Sequence, residues 1–597
     1  MSAGQSLDLS HIFESEHRTA TEIASLWCEW DSARAGWKKR VAETKAYVFA
    51  TSTRETTNVQ NPWSHSTNLG KITQVYDNLR ANYMMSLLPN PEWFRFEGED
   101  REAVTFKKRR NIESYLRTKH RIDNFNTVVG QLIDDWVLTG NCFAYVTYVN
   151  ETHEDPITGL SEIGYTGPRT GRIAPNDIVF NPTAITFESA PKIIRSIKTV
   201  GEIHRDVEEN PELQYEAEVL NNLVDIRREL NQYSLEDVDK SIQMSYDGFG
   251  TIGQYLKSGF VEILDFYGDI YDHETQQFYK NYVITVVDRR WVIRKQPLNT
   301  WTGRPHIYHS AWRRRPDNLW GMGPLDNLVG LQYRINHLEN ARADAFDQMI
   351  NPDLVYQGDV DEYEGPNGGR VYEVNENGNV RYLTPDTTVL NADFQIQALE
   401  QRMELYAGAP SEAMGIRSPG EKTAFEVQQL QNASSRIFQN KINDFEMNML
   451  ERLLNAQIEV ARRNLNTADV IKIVDKDTGV EDFMSITRED LVANGKLVPV
   501  GARHYARKAQ LAQEMMTFQQ SVMADPMLAQ HFPSVKVAEM WEEILGFDRF
   551  GIFSPFARIA EQAEAQRMMQ IAEQQLMEEQ MMVAQEAEGM AGEEVPI

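Results

Sequence analysis

Cysteine is almost missing from this chain. Cys28 and Cys142 are the only two in 597 residues, and each lies in an apolar stretch. Two thiols cannot build a disulfide framework or a cysteine-rich zinc site, and such scarcity suits a reducing compartment. Long apolar runs are missing as well: none reaches the ~18 residues needed to span a bilayer. The first residues, Met-Ser-Ala-Gly-Gln-Ser-Leu-Asp-Leu, lack the basic stretch and apolar core of a secretory leader. The expectation is a soluble protein made in a cytoplasm, with no membrane partner. Positive charge is short too. Lys and Arg total 60 against 88 Asp and Glu, a formal net charge of −28. A protein that grips DNA phosphates over its whole surface needs the opposite sign. A histone-like coat is excluded; local basic patches are not.

Signatures of chemistry are also scarce. The nearest match to a phosphate-binding loop is Gly415 to Thr423, where Glu421 stands in place of the required lysine. There is no H-E-x-x-H, C-x-x-C or G-x-S-x-G. His306 and His309 form the closest His pair, and on a strand a spacing of three turns them to opposite faces. Packing or surface roles are the plainer reading. The acidic run Asp359-Val-Asp361-Glu362-Tyr-Glu364 has the groups to bind Mg²⁺, but a solvated or intersubunit acidic face explains it more simply. Asp134 and Asp135 read as helix-end solvation. No catalytic residue, metal site or cofactor is assigned.

What remains is architecture. Hydrophobic residues make up 41% and charged residues 25%, a globular composition. At ~100–200 residues per domain the length allows about three to five domains. Apolar spacing of three and four predicts helices over His17–Phe49, Ile72–Leu88, Glu102–Arg121 and Phe125–Leu138. The aromatic and β-branched run Cys142–Val149 reads as a strand, and Gly159–Pro191 as hairpins and loops. Residues Val207–Asp239 read as helical. Phe260–Phe266, Tyr282–Asp288 and Trp291–Arg294 read as antiparallel strands, with a turn at Asp288-Arg289-Arg290. The fold class is therefore α+β and helix-rich, helices first and strands later.

The middle third changes character. Pro324–Met349 reads as one helix of roughly 40 Å, ending at Asn351-Pro352. Its seam is Leu328, Leu331, Ile335, Leu338, Arg342, Ala345 and Met349. Leu354–Leu390 reads as a small β-rich insert, Asp393–Tyr406 as a returning helix and Gly408–Gly420 as a loop. Ser418-Pro419-Gly420-Glu421 carries the cap, first-turn proline and capping glutamate of a new helix. That helix runs to about Asn464, with Phe438, Ile442, Phe445, Met449, Leu453, Ala456 and Val460 on one face. A short strand (Val470–Val474) and helices over Ala502–Met523 and Val535–Leu545 follow. The tail, Ala557–Ile597, holds nine Asp/Glu, two Lys/Arg and six Met; as a helix it needs a partner surface. Two basic stretches stand out. Lys107–Arg110 reads as a solvated helix face. Trp312-Arg-Arg-Arg-Pro316, flanked by Trp301 and Trp320, suits pairing with acidic surfaces of another copy more than phosphate binding.

From about Trp63 to Gln520 the chain resembles the portal, or head-to-tail connector, proteins of short-tailed bacteriophages. The likeness rests on Trp63-Ser64, Lys71 to Leu79, Trp93-Phe94, Asp135 to Val146 and Ala174 to Pro182. It continues through Trp320-Gly-Met-Gly-Pro-Leu325, Leu331 to Asn336, Asn351-Pro352 and Ser418 to Val427. The order of these motifs carries more than any one of them.

The resemblance implies a ring, of twelve subunits in that family, at one capsid vertex. Double-stranded DNA is packaged and ejected through its channel without regard to sequence. In that frame residues 1–315 form a wing, 316–352 the first stem helix, 353–391 the clip and 392–407 the second stem helix. Residues 408–420 form a channel (tunnel) loop, 421–500 a long helix returning to the wing, 501–556 a helical crown, and 557–597 an acidic terminal helix or tail. Arg417 and Lys422 become candidates for shallow DNA contacts in the loop. Leu331, Ile335, Leu338 and Arg342 become subunit contacts of the stem. Asp359, Asp361, Glu362 and Glu364 become clip residues facing the terminase large subunit or a head-completion (tail adaptor) protein. Major capsid, scaffolding and internal core proteins are further implied partners, and the virion is the implied location. The rival readings are another virion structural protein of tail or internal core, and a metal-dependent nucleic-acid-processing enzyme built on the acidic clusters.

Overall fold

A computed structural model of the chain describes residues 6–9, 16–49, 67–88, 93–99, 106–154, 161–210, 212–216, 219, 260–350, 353–358, 360–364, 370–374, 377–383, 391–407, 437–465, 469–474, 481–492 and 494–500. The chain divides into two units, residues 1–473 with 483–501 and residues 474–482 with 502–597. The expected loop 408–420 with Arg417 and Lys422, the crown 501–556 and the tail 557–597 lie outside the described residues. The first unit is mixed α+β, as the periodicities require.

The apolar spacing between His17 and Phe49 produces two helices where one is expected: α1 (Glu16–Ala33) and α2 (Ala35–Phe49). The break falls at Arg34, whose side chain turns inward. Its guanidinium donates to Asp31 Oδ1 (2.8 Å) and to the carbonyls of Pro175 (2.7 Å), Ile178 (2.8 Å) and Asn176. A buried guanidinium needs that many acceptors, and periodicity gives no warning of them.

Three helices follow: α3 (Lys71–Leu87), α4 (Phe106–Ile122) and α5 (Phe125–Thr139). Strand β1 (Ser6–Leu9) precedes the helices, and β2 (Phe94–Gly98) lies between α3 and α4. Helix α5 stops at Gly140, whose φ of 73° is the left-handed conformation of a helix C-terminus. The chain turns there directly into β3 (Asn141–Glu154), which pairs antiparallel with β4 (Ser161–Ile173). The other edge of β3 takes β10 (Ile307–Ala311), so the sheet order is β10-β3-β4.

A second, larger sheet runs β5 (Ile178–Phe180), β6 (Lys192–Thr199), β7 (Phe260–Asp272), β8 (Gln277–Val287), β9 (Trp291–Pro297), with antiparallel neighbours. Strand β1 joins the far end of β7 in parallel. The β8–β9 turn holds Asp288 and Arg289 at φ of 48° and 59°, the left-handed pair that a tight hairpin uses. Helix α1 covers this sheet, packing Ala20, Ile23 and Trp27 onto Ile193, Leu264 and Phe266. Helix α6 (Val200–Glu209) opens with a full capping box between Thr199 and Glu202.

The largest core joins α3, α4, α5 and the chain from 437 to 465. Tyr83, Trp136, Phe438 and Phe445 stack through it, with ring centroids 4.7–5.0 Å apart. The stripe expected on the long helix is there: Ile442, Phe445, Met449, Leu453, Ala456 and Val460 are all buried. A π turn at Glu446–Leu450 leads into α9 (Glu451–Asn464). The strand Gly495–Pro499 comes back to pair antiparallel with β2.

Asp134 and Asp135 are not solvated helix ends. Asp135 is buried and held bidentate by Arg172 of β4 (2.5 and 2.7 Å), while Asp134 takes Arg80 (2.5 Å) and the Tyr76 hydroxyl (2.9 Å). Burial raises the Asp135 carboxyl above its ordinary range, against the pull of Arg172. Apolar neighbours on both sides had drawn this face of α5 into the core.

Candidate functional site

Against this core lie a helix, a β insert and a returning helix, which add Ile335, Ile396, Met403 and Ala407 to it. Helix α7 spans Val329–Ile350, five residues later than its predicted start at Pro324. The delay has a local cause: the Gly323 N–H bonds Asp326 Oδ2 (3.1 Å) and the Leu328 N–H bonds the Leu325 carbonyl (2.8 Å), a turn that only then opens into a helix. Helix α8 spans Asp393–Ala407.

Between them lie four strands: β13 (Asp353–Gln357), β14 (Val360–Glu364), β15 (Arg370–Val374) and β16 (Asn379–Leu383). β13 pairs with β16 and β14 with β15, one hairpin nested inside another. Gly358 joins β13 to β14 at φ 88°, and a Cβ there would overlap the Asn377 carbonyl. Only glycine allows that crossing.

Two pairs orient the helices. Arg342 of α7 bonds Glu339 (2.6 Å) and Asp393 at the start of α8. Lys71 at the start of α3 bonds Glu404, near the end of α8, at 2.7 Å. Gln332, near the start of α7, bonds the neighbouring Ile72 N–H (3.0 Å). The start of α7 therefore lies by the end of α8, and the two helices run antiparallel.

The inner face of α7 is not the apolar seam that spacing suggests. Gln332, Asn336 and Asn340 are buried along it, one turn apart. Asn340 Oδ1 accepts from the Thr67 N–H (2.8 Å), Asn336 Oδ1 from the Leu69 N–H (3.3 Å) and Gln332 Oε1 from the Ile72 N–H. Gln332 Nε2 donates to Asn336 Oδ1 (2.8 Å), and Asn336 Nδ2 to Asn68 Oδ1 (3.1 Å). Three amides thus clamp the backbone of residues 67–72. The signal was in the sequence as Gln-x-x-x-Asn-x-x-x-Asn.

The expected stem contacts land differently from one another. Ile335 is fully buried in the subunit's own core, and Leu331 and Leu338 pack against that core. Arg342 is engaged within the subunit by Glu339 and Asp393. The large apolar side chains left exposed on the two helices are others: Tyr333, Phe346 and Ile350 on α7, and Phe394, Leu405 and Tyr406 on α8. Phe394 is 83% exposed. In the insert, Asp361 is exposed, and its position in β14 is in register with Glu373 of β15. Glu362 and Glu364 fall in β14 opposite Tyr372 and Arg370, and Asp359 lies outside the described residues.

Two distant stretches of sequence meet just ahead of α7. Gly140 abuts Met322 and Gly323 so closely that a Cβ on it would overlap their backbone. Asn141 Oδ1 accepts from the Gly321 N–H (2.7 Å) and contacts His309 Nε2 (3.1 Å). His309 lies among Phe143, Phe180 and Phe187, and burial pushes its pKa down to about 3. His306 sits apart, facing Glu459 at 3.4 Å. Among the described residues no group of three or more His, Cys, Asp or Glu is placed to hold a metal ion, and no helix is long and apolar enough to cross a membrane. No protein-family model matches the chain, and no curated protein matches it.

Proposed function

We propose that this chain is a ring-forming channel subunit, the portal of a tailed bacteriophage, through which double-stranded DNA enters and leaves a capsid. The observation that carries the reading is the antiparallel pair α7–α8 with the nested hairpins between its ends. Among the described residues six large apolar side chains on that pair are exposed. Apolar exposure of this kind calls for an interface. Closed rings arise when one face of a subunit docks on a different face of the next. The net charge of −28 suits a conduit that must not hold DNA tightly. The ordered motifs from Trp63 to Val427 supply the family; twelve copies, the terminase and the tail adaptor come with it. In this reading the work is positional and non-enzymatic, and Arg417 with Lys422 makes shallow contacts to passing DNA.

Negative-stain images of the purified full-length protein test the reading. Rings with an axial hole wide enough for B-form DNA are expected. Solitary particles without a lumen, or fibres, would end it. The double variant Phe394→Asp/Leu405→Asp is expected to remain folded by circular dichroism and to lose the rings.

A further inference from the structure

The densest basic run of the sequence plays no part in the stem. β11 (Arg313–Arg315) and β12 (Asn318–Met322) form a two-stranded hairpin, turned through Asp317 at φ 58°. Arg313 and Arg314 are exposed and Arg315 is half-buried. Several other arginines of this acidic chain are paired: Arg34, Arg169, Arg172, Arg195 and Arg289 each meet a carboxylate. Among the described residues none of the three hairpin arginines has an ion pair, and the buried Nε of Arg315 has no hydrogen-bond partner.

Further cations converge on the same place. Arg40 of α2 is exposed and acts, with Arg313 and Arg315, on the carboxyl of Asp326. Lys441 sits over the Trp312 ring at 4.6 Å and donates to the Trp312 carbonyl. Burial lowers its pKa, and Arg313 and Arg314 lower it further, against Asp444. Among the described residues these five cations lie with three acids: Asp326, Asp444 and the exposed Asp317. Asp326 is turned inward to the Gly323 N–H, so the patch is positive in surplus.

The patch is also stiff. Arg313 lies over Trp312 at 5.2 Å, and Trp320 of β12 is locked against Trp37 (4.6 Å) and Phe180 (4.8 Å). Guanidinium groups on such a platform lose little freedom when they are engaged, and their fork matches a carboxylate. Carboxylate is what every other copy of this chain offers in excess, 88 against 60.

We propose that the Arg313–Arg315 hairpin is a docking site for carboxylates of a second copy of this chain, a charge-paired contact between neighbouring subunits. The proposal rests on the ring reading above and adds to it a contact made by charge, away from the apolar stem.

The test uses the full-length protein and the exposed double variant Arg313→Glu/Arg314→Glu, with folding checked by circular dichroism and thermal melting. Mass distributions from analytical ultracentrifugation give the association constant. It is expected to fall at least ~10-fold in the variant, with Arg313→Lys/Arg314→Lys in between. Wild-type assemblies are expected to loosen as salt rises from ~0.05 to ~0.5 M. Equal assembly by the wild type and the glutamate variant overturns the docking site and leaves the ring reading standing. A wild type that stays single at every salt concentration sinks both. A glutamate variant that assembles normally but loses binding to a short DNA duplex assigns the patch to phosphates, and also overturns the proposal.

Discussion

Helices α5 and α7 are both wrapped by the rest of the subunit, but they are held in opposite ways. The buried face of α5 is mainly apolar, with Asp135 as its buried charge: Phe125, Val129, Leu132, Ile133, Trp136 and Val137 are at most 1% exposed. Burial of that kind is non-directional and large, about 25 cal/mol per Å² of apolar surface. The buried face of α7 carries Gln332, Asn336 and Asn340 beside Ile335 and Ala345. Each amide bond adds only about 1 kcal/mol net, but leaving one unmade costs about 1–3 kcal/mol. An apolar face accepts many approximate fits; a row of amides on backbone N–H groups accepts one register. Helix α5 contributes stability, and helix α7 contributes position.

Three measurements would break or sharpen that contrast. The largest effect belongs to α5. Trp136→Ala is expected to cost about 3–5 kcal/mol of unfolding free energy in a urea titration, and a loss below that of an α7 amide variant would erase the comparison. Acid comes next. His120 of α4 lies against Phe125 at 4.2 Å, and burial lowers its pKa to about 4 from 6.5. A histidine kept neutral when folded takes up a proton on unfolding. Its contribution is complete above pH 6.5 and is lost as pH falls toward 4. The loss amounts to at most about 3 kcal/mol. Urea titrations between these pH values should show it for the wild type and less of it for His120→Gln. The amides of α7 do not titrate, so hydrogen exchange at Leu69 and Ile72 should soften only in step with global stability.

The smallest effect is the most specific. Asn336→Leu keeps the branching at Cγ but strands the Leu69 N–H and one donor of Gln332, at a cost of about 1–3 kcal/mol. Exchange should rise selectively at residues 67–72. A variant with unchanged exchange there would show that the ladder does not fix the strap.

Much of the fold was legible in the chain. The three-four spacing of α3, α5 and the helix ending at Asn464, the β8–β9 turn and the helix–insert–helix order all follow from local pattern. The misses share one cause. Spacing tells which side chains lie on a common face, not what lies opposite. Leu331, Ile335 and Leu338 share one face, and that face meets the chain's own core. Arg34 broke a helix and Asp135 went inside because distant partners, the carbonyls of 175–178 and Arg172, were waiting for them. The acidic insert was readable as exposed at Asp361, whereas its opposition to Glu373 depends on a register that no single strand reveals.

The direction in which residues 67–72 pass α7 has a mechanical consequence. As the strap advances from Thr67 to Ile72, its anchors step back from Asn340 to Gln332, so strap and helix run in opposite senses. A pull along the helix axis shears all three rungs together, while a pull across it peels them open one by one. A chain tugged lengthwise along α7 would meet the stronger of these two resistances.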